Sequence, residues 1–238
     1  MRIRRVIVSL CVLTVLGGGG FLAARLIGNV VGSGAEQPGQ VDEKLTQQPG
    51  QVDEKLIQQR QATEQAQPRF TGELLGIFIA PSEDAWPEQV RADQAQLVAG
   101  GCVDVPRSLA GTLEFPRPLT LAPEYVPKEE QPATACSGKV TGLGWEYTTT
   151  GANGIPANVS ISRAVAKASV YDVAADRVSV RTIGGRDAIF IRPITPDALA
   201  QISYVVFPES FGVTEIQTFN LPEDGVLAVA EAVAAASK

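Results

Sequence analysis

Histidine is absent from the 238 residues, methionine occurs once, tryptophan twice and cysteine three times. Without histidine there is no Ser-His or Cys-His nucleophile pair, no imidazole metal ligand and no imidazole pH switch. Lysine is scarce beyond residue 70, where it stands only at Lys128, Lys139, Lys167 and Lys238. Lys139 follows Ser137 by two, a spacing too common by chance to mark a Ser-Lys dyad. Phosphate-binding glycine loops and the G-x-S-x-G elbow are missing. Two lone cysteines without a CxxC pair cannot fill a zinc shell. The sequence therefore assigns no catalytic residue, no metal and no cofactor. An excess of positive charge is missing as well. Twenty basic residues stand against 26 acidic ones, for a net charge of −6. That balance argues against a nucleic-acid partner, whose binding rests on neutralised phosphates.

The charge is unevenly spread. Arg2, Arg4, Arg5 and Arg25 are the only charged residues among the first 30. Between Arg5 and Arg25 runs the uncharged stretch Val6 to Ala24. At about 1.5 Å per residue, an apolar helix of that length nearly crosses a hydrocarbon core of about 30 Å. Three arginines ahead of it hold the N-terminus in the cytoplasm and send the rest of the chain out. The expectation is a signal anchor over residues 1–31, a single-pass transmembrane helix. The alternative is a cleaved signal peptide, with its apolar core at Val6 to Val15 and a small-residue site at Ser33-Gly34-Ala35. Both readings place the body outside the cytoplasm. Cys11 lies inside the apolar run.

Residues 32–69 contain a repeat. Gln37 to Leu45 (QPGQVDEKL) recurs unchanged as Gln48 to Leu56. Two copies are too few for a solenoid, which needs about three or more. Each copy offers one Val and one Leu among Gln, Glu and Lys, too little burial to offset the entropy of ordering. The expectation is a disordered, Gln-rich tether. A helix from Val52 to Gln67 is the competing reading.

Residues 70–238 form the expected extracytoplasmic domain. Leu74 to Ile79 reads as a strand, and Glu88 to Ala99 as a short, weakly amphipathic helix behind Pro87. Six prolines between Pro106 and Pro132 make irregular extended chain. Beyond Cys136 the pattern turns to β. Strands are expected at Lys139 to Thr150, Asn158 to Arg163, Arg177 to Ile183, Ala188 to Pro193, Gln201 to Phe207 and Val213 to Phe219. Gly184-Gly185 stands where a two-residue hairpin turn belongs. A helix closes the chain, with Asn220 and Glu223 expected as a capping box. Its apolar stripe is Val226, Val229, Ala230, Val233 and Ala234. The fold class is α+β, a mainly antiparallel sheet of about five to six strands packed by this helix. Cys102 and Cys136 fall in the exported part, where thiols oxidise, and are expected to pair.

The adjacent acids Glu83-Asp84, Glu129-Glu130 and Glu223-Asp224 read as solvated surface. The aromatics remain as candidate ligand contacts. Trp145 and Tyr147 share one strand face, and Phe207 and Phe211 flank Pro208-Glu209-Ser210. As core they would simply pack. As a site they would line an apolar groove for a peptide or lipid, between sheet and helix.

One ordering of motifs stands out: Leu143, Trp145 and Tyr147, then Ser160 to Ser162, Gly184 to Arg186, Ser203 to Val206, and Leu221 to Val233. It is similar to a bacterial extracytoplasmic domain of unknown function, found at the C-terminus of membrane-anchored anti-sigma-factor-like proteins. The resemblance covers residues 113–238. It implies a small curved sheet with a C-terminal helix and a sensing or binding role in the envelope, with no catalytic residues. Only Met1 to Arg5 lies on the cytoplasmic side, without a sigma-binding region. The leading expectation is a tethered ligand- or protein-binding or regulatory module, whose partners are the membrane, through its first helix, and an envelope protein, peptide or lipid. The alternatives are a structural or assembly component of the envelope, and an envelope hydrolase working through carboxylates or Ser/Lys.

Overall fold

Two periodicities set the architecture, a period of two through most of residues 139–219 and a period of 3.6 in the last helix. The computed structural model describes Thr63 and residues 66–128, 130–151, 154–193 and 202–238. The expected anchor and both copies of the repeat lie outside these residues. Among the described residues no helix is long and apolar enough to cross a membrane.

The six expected strands beyond Cys136 all form: β6 (Lys139–Thr150), β7 (Pro156–Ala164), β9 (Val178–Ile183), β10 (Arg186–Ile191), β11 (Ile202–Pro208) and β12 (Val213–Phe219). Among the described residues the sheet nevertheless has nine strands, not five or six. The additions are β3 (Cys102–Val105), β4 (Val126–Pro127) and β5 (Ala133–Cys136). They are two to four residues long, and Ala-Thr-Ala-Cys in β5 has no strand-forming alternation of its own. Pairing with the long β6 makes β4 and β5 strands, and pairing with β5 does the same for β3. The order is β3-β5-β6-β7-β12-β11-β10-β9, with β4 also beside β6, and every neighbour is antiparallel. Gly184 and Gly185 form the β9–β10 turn at φ of 59° and 78°, which glycine adopts without a steric cost.

The expected strand at Leu74 to Ile79 is instead a hairpin, β1 (Gly72–Leu74) and β2 (Ile77–Ala80), turning at Leu75 and Gly76 with φ of 51° and 79°. Parallel to β2 runs β8 (Ala168–Val170), completing a second, three-stranded sheet. Helix α1 (Glu88–Val98) follows Pro87 as expected and α2 (Glu223–Ala236) closes the chain. The capping box does not form. Pro222 takes the N-cap position with no side-chain cap, Asn220 sits at φ 59°, and the Glu223 carboxylate pairs with Arg181 at 2.8 Å.

The large sheet has two unlike faces. On one, Val159, Ile161, Phe190, Val205, Phe207 and Ile216 meet the full apolar stripe of α2. Phe115, Leu119, Leu121 and Tyr125 of the proline-rich segment pack beside them. Arg163, 3 % exposed, fastens that segment by donating to the carbonyls of Leu113, at 3.0 Å, and Glu114. On the opposite face the three-stranded sheet covers β10, β11 and part of β12, packing Ile77, Ile79, Tyr171 and Val173 on Ile189, Ile191, Val206 and Val213. Over the rest of that face, across β6, β7 and the remainder of β12, the described residues leave an open pocket.

Candidate ligand groove

The uncovered stretch is floored by small residues for a reason visible in the register. Along β6, Leu143, Trp145 and Tyr147 point to the α2 side, so Gly142, Gly144 and Glu146 point away. Ser162 lies opposite Gly144 and Glu215, and Ser160 lies opposite Glu146 and Gln217. These positions form one band across three strands, on one side of the sheet. Gln94, Leu97 and Val98 of α1 form one wall, with Trp86, Ala168 and Ser169 beside them. The result is a groove of about 360 Å³, within the usual size of small-molecule and cofactor sites.

Local contacts hold the walls. The Ser137 hydroxyl donates to the Leu97 carbonyl at 2.9 Å and accepts from the Gly100 amide at 3.2 Å, tying the end of α1 to the β5–β6 turn. Beside it, Cys102 and Cys136 sit directly opposite in the β3–β5 pair, 4.1 Å apart at Cα, and are joined as a disulfide. Cys136 also lines the groove. At the other end Trp86 packs on Ala80 and Ala168, which fixes the start of α1 to the small sheet.

The chemistry concentrates at Glu215. Tyr171 donates its hydroxyl proton to Glu215 Oε2. Burial raises the Glu215 carboxyl above its ordinary value, and this hydrogen bond opposes the rise by favouring the ionised form. Tyr171 is pushed well above the usual phenol value by burial and then by the Glu215 charge. Tyr204, whose ring centroid lies 4.7 Å from that of Tyr171, is pushed up to about 12 by burial and the same charge. Both phenols therefore stay protonated at neutral pH. Glu146 at the rim meets Lys128 at 3.4 Å. Asp104 adds a third carboxylate to the lining. Arg163 is spent on the other face, with its guanidinium 4.6 Å from the ring centres of both Phe115 and Phe211. Among the described residues no three His, Cys, Asp or Glu side chains converge on a common point.

The aromatics expected to line a groove between sheet and helix sit on the α2 face. Phe207 is fully buried in the core beneath α2, and Trp145 and Tyr147 pack partly exposed against the same core. Trp145 stacks 4.8 Å from Phe115 and lies under the Arg107 guanidinium. Phe211 joins a neighbouring cluster with Ala110, Leu113, Ala133 and Leu143. Trp145 bridges the two clusters, so the structure brings all four into one apolar layer. The open space lies through the sheet, on the other side, and of these four aromatics only Trp145 also contributes to its lining. Glu215, Ser162, Gly144, Tyr171 and Trp86 were missed in the sequence reading. Only Gly144 carried a signal, as one of the small residues alternating with Leu143, Trp145 and Tyr147 along β6. No described protein family, curated protein or solved structure matches the chain.

Proposed function

We propose that the protein is a binding module of the cell envelope, held at the membrane by residues 1–31 and spaced from it by residues 32–69. Its ligand occupies the groove over β6, β7 and β12. The observation that carries this reading is the preformed cavity of about 360 Å³ floored by Gly142, Gly144, Ser160 and Ser162. A sheet face left bare by accident would close by side-chain packing, because interiors pack to crystal density. Here the positions that would fill it carry glycine and serine, while the next residue along β6 in each case is large. The uncharged run from Val6 to Ala24 and the arginines before it support the tethered, exported placement.

The test uses the full chain in detergent micelles with Trp145→Phe, which leaves Trp86 as the only tryptophan. Its emission is followed against short basic, acidic and neutral peptides, a neutral oligosaccharide and a fatty-acid amphiphile. A Cβ added at Gly144 would meet only the Ile161 carbonyl oxygen, at 3.9 Å, so Gly144→Leu fills the groove without a clash at that atom. A saturable shift with one class, lost in Gly144→Leu, supports the reading. No shift with any class, or a shift that survives Gly144→Leu, overturns it.

A further inference from the structure

The groove is acidic, and one of its carboxylates is half used. Glu215 Oε2 takes the Tyr171 hydroxyl, while Oε1 has no hydrogen bond from any described residue. Ser162 stands directly across from Glu215 on the same face, within about 5 Å at Cβ by the geometry of an antiparallel pair. Gln217, two residues on, adds an amide on that side and sends its own NH₂ toward the Tyr204 hydroxyl, which leaves its carbonyl oxygen to accept. A carboxylate oxygen, a hydroxyl and an amide carbonyl are the acceptor set for an ammonium group with its three N–H donors. No lysine lines the groove, and its single arginine is engaged on the far face. Among the described residues, therefore, no cation pairs with this carboxylate.

A second feature points to what carries the ammonium. Trp86 lines the same groove, is 4 % exposed, and its indole Nε1 has no hydrogen-bond partner. A buried donor left unmade is costly, and an acceptor on the ligand removes that cost. A peptide has such an acceptor at every backbone carbonyl, whereas a polyamine has only donors beyond its charges.

We propose that the groove binds an extended peptide through a lysine side chain, whose ammonium sits on Glu215 Oε1 with Ser162 and Gln217 as its other acceptors and whose backbone carbonyl meets Trp86. This deepens the binding-module reading and rests on it. Titration calorimetry on the full chain in micelles tests it with three probes: acetyl-Ala-Ala-Lys-Ala-Ala-amide, the same peptide with norleucine for lysine, and putrescine. A charge-assisted hydrogen bond lost from a desolvated site is expected to weaken binding by about 30-fold. The lysine peptide is expected to bind about 30-fold more tightly than the norleucine peptide. Glu215→Gln, which keeps an oxygen for Tyr171, is expected to erase that preference. Gly144→Leu is expected to weaken both peptides. Equal affinity for the two peptides overturns the lysine assignment and leaves the module standing. Putrescine matching the lysine peptide overturns the peptide assignment alone. Binding of none of these probes overturns the lysine assignment. The module reading then rests on the wider panel, and silence across that panel overturns it too.

Discussion

At the residue scale the decisive contrast is between Glu215 and Arg163, two charged side chains on opposite faces of adjoining strands. Arg163 is satisfied by carbonyls of the proline-rich segment and held near two rings. Burial lowers its pKa, yet it keeps its charge because several donors are used. Glu215 is satisfied on one oxygen only. Its carboxyl is raised above its free value of 4.5, so the folded chain holds its proton more tightly than the unfolded chain. The stability this contributes is fully present below the free value and is lost as pH rises through the folded value. Tyr171 and Tyr204 stay protonated across that window. Thermal midpoints of the full chain and of Glu215→Gln between pH 4 and pH 8 check this. The wild type is expected to lose ground steadily against the variant as pH rises. A difference that is flat, or that grows in the wild type's favour, contradicts the assignment. None of this was legible in the sequence. Glu215 lies between Thr214 and Ile216 in an ordinary strand pattern, and its partner Tyr171 is 44 residues away.

At the element scale the last helix was the most legible part. Its stripe of Val226, Val229, Ala230, Val233 and Ala234 is buried as the 3.6 period requires. An aspartate in place of Val229, 1 % exposed, would bury an unpaired charge against Val205 and Phe207. Val229→Asp is expected to lower stability by several kcal/mol and to abolish cooperative unfolding, read by far-ultraviolet circular dichroism during denaturant titration. Retention of a wild-type transition would mean that α2 is not docked on the sheet. The start of the same helix was misread for a physical reason. Asn220 and Glu223 have capping-box spacing, but Pro222 pre-sets the entry and Arg181 draws the glutamate away. Short strands were missed because four residues such as Ala133 to Cys136 carry too little pattern to register without their neighbour β6. Leu74 to Ile79 was read as one strand because Leu75, an apolar residue, occupies the turn at positive φ where glycine or asparagine is the usual signal.

At the scale of the whole molecule the expected pair of Cys102 and Cys136 is joined as a disulfide. Their disulfide closes a separation of 34 residues that contains the whole proline-rich segment. The Cys102→Ser, Cys136→Ser double variant is expected to lose about 3–4 kcal/mol in the chain-entropy picture, measured by equilibrium denaturation. Hydrogen exchange is expected to rise first in α1 and β3, the elements the bridge and Ser137 hold beside the groove. Exchange that rises evenly through β10 and β11 instead would show that the bridge does not act on the groove wall. The parallel pair of β2 with β8 was invisible in the sequence, because neither short run announces a partner across that distance.

That pair sets a timetable for synthesis. Residues 72–80 leave the ribosome early and pair at once as a hairpin, yet the flank of Ile77 to Ala80 has no neighbour until Ala168 to Val170 are made. Phe70 likewise waits for Val173, and Arg69 for Asp172 and Ala174. The beginning of the globule is therefore among the last places to become native. A nascent chain arrested before residue 168 carries an open apolar edge next to its own N-terminal lead. A partner that shields extended, greasy backbone during that interval would govern the yield of the finished protein more than any single contact in it.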